Sequence, residues 1–404
     1  MLGLLLYTGS LNEFVSGTLL TFVRYGVFAL SIFLILVCHA KQLLSLIAED
    51  AFLFITLAIA CLSFTWSDYP NSSIQACFEL FRVSVFAVFL SLAFSSKQQL
   101  KLLLINFGIG AVLCMFFAVA VPSIGIDRAV HVGAWQGIYQ NKNTMGAILG
   151  VGALIFFIDV LFRDHFLSIN SIGSGIVLLL SSFLILMSTS KSALVSFIAI
   201  SLAIVMYRQY KWRDKLSILL LSLGTLLVGI SGLFVLSNWN ALLLGLDRDP
   251  TLTGRTIIWQ RALEQFMDRP WLGFGQGAFW SLGSDQQIYV ARHFSSTLEF
   301  LPPHAHNGFV EILLDIGIVG LIFFLINFIT NIGLSLRRAY RYATAADWLP
   351  LTILASLSLR NLTESQLMRT VDIGIFWILY ILVSLSLKHP KYNDKLTKNI
   401  HNGL

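Results

Sequence analysis

The stretch HAHNGFVEILLDIGIVGLI, residues 304–322, decides how this chain is read. Two imidazoles, His304 and His306, follow Pro302 and Pro303 and open onto a run that stays apolar to about residue 332. A helix of that length spans the roughly 30 Å of bilayer hydrocarbon at about 1.5 Å per residue. The run is a membrane span, and the histidines stand at its mouth.

Similar runs recur along almost the whole chain. Of 404 residues, 56% are hydrophobic and 12% charged, which excludes a soluble domain, because a water-facing surface needs far more charge. Candidate spans fall at about 17–38, 51–66, 74–95, 102–121, 144–162, 170–187, 191–207, 216–236, 307–332, 347–364 and 371–387. The expected fold is an all-α polytopic membrane protein with about eleven transmembrane helices, or twelve if residues 1–12 hold a short first span. The start, MLGLLLYTGSLNEF, lacks the basic region and cleavage site of a signal peptide. The cysteines Cys38, Cys61, Cys77 and Cys114 lie in or beside apolar runs without metal-site spacing and read as packing residues.

The net charge of +6 would suggest nucleic acid in a soluble chain. Here the basic residues gather in short loops, at Lys97 and Lys101, Arg208–Lys215, Arg337–Arg341 and Lys388–Lys398, which marks the cytoplasmic face. The N-terminus then lies outside, and residues 66–74, 122–143, 188–191, 237–306 and 361–370 face the periplasm. Three regions follow: a transmembrane bundle over 1–236, a large periplasmic loop over 237–306, and transmembrane helices with a cytoplasmic tail over 307–404. A loop of that length is far beyond an ordinary connection and is usually functional.

Within it, TGRTIIWQRALEQFMDRPWLGFGQGAFW, residues 253–280, predicts a short amphipathic helix capped by Thr253 and stopped by Pro270. A tight turn at Gly273, Gly275 and Gly277 follows, with Trp259, Trp271 and Trp280 at the membrane interface. Arg255 in the first turn opposes the helix dipole, so it either meets an anion or snorkels to lipid phosphate. The spaced glycines are no dinucleotide fingerprint, since no strand precedes them. Asp247 and Asp249 make a weak metal pair at best, and His304 with His306 has no third ligand nearby in sequence.

Other charges stand where hydrocarbon makes them costly: Arg82 inside FELFRVSVFAVFL, Lys142 beside Asn143, Lys191 between two spans, and Arg360 with Glu364 at a span end. Local pairing of Arg82 with Glu79, and of Arg360 with Glu364, is the structural alternative. Taken as a site, the cations suit an amphiphile with an anionic head, such as a polyprenyl pyrophosphate.

Six stretches in order resemble the O-antigen ligase and polysaccharide polymerase superfamily: LSFTWSDYPNSS (62–73), GIYQNKNTMGAILG (137–150), STSKSALVSF (188–197), residues 253–279, residues 304–322 and LRNLTES (359–365). The resemblance implies a metal-independent, inverting glycosyltransferase of the C-type membrane class without a cofactor, acting on undecaprenyl-pyrophosphate-linked glycan at the periplasmic face of the inner membrane. It implies His306 and Arg255 as catalytic residues; the cations read above as a basic pocket, Arg255, Lys191, Arg82, Lys142 and Arg360, would then grip the pyrophosphate. Lys191 stands where many ligases carry arginine, keeping the charge but not the bidentate geometry. Asn143, Trp259, His304, Asn307 and Glu364 are expected in support.

Histidine suits a general base because its free form titrates near neutral pH. The acceptor is open: another carrier-linked glycan in a polymerase, lipid A core in a ligase, with other polysaccharide assembly proteins as candidate partners. Compact size and the asparagine-lysine-asparagine segment lean slightly to an exopolysaccharide polymerase. A lipid-linked glycan transporter is the rival class, but no clear internal repeat is seen.

Overall fold

In the computed structural model the described residues are 1–163, 169–210, 255–293, 301–369 and 373–388. The helices run α1 Leu2–Tyr7, α2 Gly17–Cys38, α3 Ala40–Glu49, α4 Ala51–Leu62, α5 Pro70–Ala93, α6 Ser96–Ala120 and α7 Pro122–Gly125. They continue as α8 Lys142–Leu161, α9 Ile169–Met187, α10 Lys191–Tyr210, α11 Arg255–Phe266, α12 Asp285–Ala291, α13 Gly308–Arg341, α14 Ala345–Asn361 and α15 Ile375–Lys388. Among the described residues no strand forms; one isolated bridge joins Ile126 and Trp135. The expected all-α class is therefore what is found.

Six described helices are long and apolar enough to cross a bilayer: α2, α5, α6, α8, α10 and α13. A seventh span results if α3 and α4, bent by 96° at their junction, count as one. Two shorter apolar helices lie at Ser171–Met187 and Ile375–Lys388. The expected span at 216–236 and the pair Asp247 and Asp249 fall outside the described residues.

Lipid is as apolar as leucine, so the helices associate through close packing and buried polar contacts. In α8, a Cβ on Gly146 would come within 2.8 Å of the Ser190 side chain, and one on Gly152 within 3.0 Å of Phe107. These glycines let α8 sit deep in the bundle. Helix α15 is buried from Ile375 to Ser386. At the α3–α4 bend, the buried Asp50 carboxylate accepts from Asn327, Ser384 and Lys388, satisfying a charge that hydrocarbon would otherwise expel.

Helix α13 is broken. Gly317 has φ of 68° and ψ of −173°, which frees backbone groups on either side. The segment after α11 takes them up: Phe274 and Gly275 N–H donate to the Leu314 and Asp315 carbonyls at 2.9 Å, while Ile318 and Val319 N–H donate to Pro270 and Trp271 at 2.9 and 3.2 Å. Gly277 N–H reaches the Asp315 carboxylate at 3.0 Å. The close approach explains two glycines. A Cβ on Gly273 would lie 2.5 Å from the Leu314 carbonyl oxygen, and one on Gly317 would lie 2.2 Å from that of Trp271. The expected glycine turn is thus a plug in a broken helix.

The helix read from 253–269 forms as α11, beginning at Arg255; its expected cap Thr253 is outside the described residues. Trp280 corrects the interfacial reading. It is 8% exposed, packed against Phe279 in a small core with Ile258, Phe266 and Phe274. Trp271 is 70% exposed.

Candidate active site

The site is assembled where α13 begins. Asn307 caps that helix, its Oδ1 accepting from Phe309 and Val310 N–H at 3.0 and 3.2 Å. Gly308 lets the turn after α14 come close, since a Cβ there would stand 2.1 Å from Asn361 Oδ1. Asn361 in turn accepts from Gln366 and Leu367 N–H at 2.9 and 3.0 Å, shaping the turn that carries Glu364 and Ser365.

The loop between Pro303 and Asn307 is tied on every side. Ala305 N–H donates to buried Glu311 at 3.0 Å, and Trp259 Nε1–H donates to the Ala305 carbonyl at 2.7 Å. Asn307 N–H reaches Ser365 Oγ at 3.1 Å, and Arg369 holds the Pro303 carbonyl at 2.9 Å. These contacts fix His306 in the left-handed region, φ 52°, which a non-glycine residue adopts at a cost of about 1–3 kcal/mol.

Glu364 joins the expected catalytic pair. Its Oε1 accepts from Arg255 Nη2 at 3.2 Å, and its Oε2 lies 3.4 Å from His306 Nδ1. Burial works to raise the Glu364 pKa, but the His306 hydrogen bond and the charges of His306, Arg255 and Arg360 leave it below the ordinary value. An ionised carboxylate beside Nδ1 favours the proton there and leaves His306 Nε2 as the basic nitrogen.

His304 differs from its neighbour. The ring centroids are 4.0 Å apart, and His306 N–H donates to His304 Nδ1 at 3.1 Å. Burial, and then the charges of Arg369, His306 and Arg255, push the His304 pKa down to about 2, so this ring stays neutral.

Both histidines and Glu364 face a cavity of about 610 Å³. Its opposite wall is the segment from Ser123 to Ala147, including Arg128, His131, Gln136, Gln140, Asn141 and Asn143. Asp127 shapes that wall by accepting from the N–H groups of Ala129, Val130 and His131 at 2.8, 3.1 and 3.0 Å. Amides and imidazoles suit sugar hydroxyls, while Arg128 and Arg369 can meet an anion.

The other expected site residues divide. Arg360 is 2% exposed; its Nε donates to Gln366 Oε1 at 3.2 Å, while Nη1 and Nη2 are buried without partners. The local pair with Glu364 does not form, because Glu364 turns to Arg255 and His306. Buried guanidinium donors without partners are costly, and Arg360 does not itself line the cavity. Lys142 donates to Thr189 Oγ1 at 3.2 Å, beside the cavity-lining Asn141 and Asn143. Lys191 is exposed at the start of α10 and does not line the cavity. Arg82 is a correction to the expected phosphate cluster: it is buried in α5, paired with Glu79 and stacked 5.5 Å from the Tyr25 ring, away from the cavity.

A third metal-type ligand that sequence spacing did not supply is Glu364: its carboxylate and the two imidazoles place one ligand atom each within 4.8 Å. Arg255 already occupies one oxygen of that carboxylate, and the charges of Arg369 and Arg255 bear on His304, so the field at His304 disfavours a cation. Sequence reasoning also missed Glu311 and Arg369, which ion-pair at 3.6 Å behind the loop. An acid inside the apolar run after His306 was the available signal.

The chain is similar in sequence to known proteins. Residues 176–325 match the family model described as O-antigen ligase. The exopolysaccharide production protein ExoQ of Rhizobium meliloti (strain 1021) is 23% identical over 353 residues, covering 86% of this chain and 79% of that relative. The chain is thus similar to the O-antigen ligase family over part of its length and to an exopolysaccharide production protein over most of it.

Proposed function

We propose that this protein is a metal-independent, inverting glycosyltransferase that transfers or polymerises glycan from an undecaprenyl-pyrophosphate carrier at the periplasmic face of the inner membrane. The observation that carries the reading is the Arg255–Glu364–His306 chain opening on a polar cavity. Glu364 holds the proton on His306 Nδ1, so Nε2 takes the proton of an acceptor-sugar hydroxyl as its oxygen attacks the anomeric carbon. The new C–O bond forms as the bond to the carrier pyrophosphate breaks, and the leaving oxygen departs with that electron pair. One displacement inverts the anomeric centre. Arg369 and Arg128, which line the cavity, and Arg255, held by Glu364, are the cations placed to meet the departing charge, with Lys142 beside the cavity-lining Asn141 and Asn143. The polymerase is the favoured form of this reading, and similarity to an exopolysaccharide production protein supports a role in exopolysaccharide rather than lipid A glycan.

The test is mass analysis of products after purified protein receives a carrier-linked repeat unit, with and without lipid A core. Longer carrier-linked glycan in both reactions is expected. Product on lipid A core alone would make the enzyme a ligase, and no transfer in either would favour the transporter. Full transfer by His306→Ala would remove the base.

A further inference from the structure

His304 lines the same cavity as His306, and burial with the nearby charges of Arg369, His306 and Arg255 favours its neutral form. Its Nδ1 accepts the His306 backbone N–H at 3.1 Å, so that nitrogen carries a lone pair and, in the neutral ring, the proton belongs to Nε2. His306 has the opposite arrangement: Nδ1 is turned to Glu364, and Nε2 carries the lone pair. The two rings, with centroids 4.0 Å apart, therefore offer one donor and one acceptor side by side. Among the described residues no protein group takes up His304 Nε2. Vicinal hydroxyls of a sugar present the matching pair, one hydroxyl giving its proton and its neighbour accepting one.

We propose that His304 is a second substrate-contacting residue, an Nε2–H donor that binds the acceptor-sugar oxygen next to the attacking hydroxyl and so selects which hydroxyl reaches His306. The inference rests on the acceptor-side reading given above. Protonation of His304 would abolish its acceptance from His306 N–H, and the nearby charges of Arg369 and Arg255 oppose that protonation. The donor is thereby kept constant while its neighbour exchanges a proton. No proton leaves His304 in the reaction.

Two substitutions separate this role from mere support of the loop. In His304→Asn, the amide oxygen falls near the place of Nδ1 and keeps the bond to His306 N–H, but the donor at Nε2 is gone. In His304→Gln, the amide nitrogen falls near the place of Nε2 and keeps the donor. The expected result is that His304→Asn loses at least tenfold in turnover at an unchanged unfolding temperature, while His304→Gln retains more activity than His304→Asn. Asparagine equal to or better than glutamine would overturn the donor role. A second measurement needs no turnover: the ¹⁵N spectrum of histidine-labelled protein in lipid should show His304 neutral and protonated at Nε2 at neutral pH. A proton on Nδ1, or on both nitrogens, would overturn the assignment even if the reaction proved to be something other than glycan transfer.

Discussion

Replacing Glu364 by glutamine removes one charge and almost no volume, so it isolates what the carboxylate does for His306. In the resting enzyme the link is a hydrogen bond at 3.4 Å, too long to be strong. When His306 takes the acceptor proton, the same contact becomes an imidazolium–carboxylate pair. Two unit charges at that distance are worth about 5 kcal/mol at an effective dielectric constant of about 20. Side-chain exposures of 26% for His306 and 14% for Glu364 admit some water, which screens this to roughly half. The expected loss of transition-state stabilisation is therefore about 2.5 kcal/mol, or roughly 70-fold in turnover. The assay is the initial rate of carrier-linked glycan extension in lipid nanodiscs at saturating substrate, with His306→Ala as the floor. Glu364→Gln within threefold of wild type would refute the pairing. A fall to the His306→Ala floor would mean that Glu364 does more than stabilise charge, and that the wrong imidazole tautomer accumulates.

Three further outcomes follow from the same geometry. Gly273→Ala and Gly317→Ala each force a Cβ onto a backbone oxygen at positive φ, so each should lower stability by about 1–3 kcal/mol, read as a lower unfolding temperature in detergent; unchanged melting would dismiss the plug in α13. Arg82→Met alone strands Glu79, but Arg82→Met with Glu79→Leu removes both charges and should extend glycan within a few-fold of wild type; a deep loss in the double variant would return Arg82 to the site. Glu364 has a pKa held below its unfolded value, so its contribution to stability is complete above about pH 4.3 and disappears as pH falls through the folded value. Wild type should therefore lose more stability than Glu364→Gln on acidification through that window, and equal losses in chemical unfolding would count against the ionised state.

How much of this was legible in the chain depends on whether a group's partner lies near it in sequence. Membrane helices announce themselves through runs of apolar residues, and the cap of α13 follows from Asn307 standing before GFVE. The histidines were visible because a polar pair at the mouth of a span is conspicuous. Their meaning was not, because it is set by groups 46 to 58 positions away: Trp259 on Ala305, Glu364 on His306. Local spacing even pointed the wrong way for Arg360, where an i, i+4 pair looked sufficient and the fold instead turned Glu364 to Arg255. The glycines around Gly275 read as a turn, but only the break at Gly317, some 40 residues on, shows what they dock against. For Arg82 the rule of local pairing was right.

The common thread is that hydrocarbon penalises an unpaired charge, so a buried guanidinium or ion pair among the described residues calls for a partner or a ligand. Arg82 has Glu79, Asp50 has Lys388, and Glu311 has Arg369. Arg360 is different: its Nε is satisfied by Gln366, yet both terminal nitrogens are buried and unmatched. Structural need accounts for the first three. It does not account for a guanidinium whose two terminal nitrogens are buried without partners, four residues before the cavity-lining Glu364. Arg360→Met tests whether that charge serves the proposed site: weaker binding of the carrier-linked glycan at an unchanged unfolding temperature would place it there, and unchanged binding would make it a structural residue.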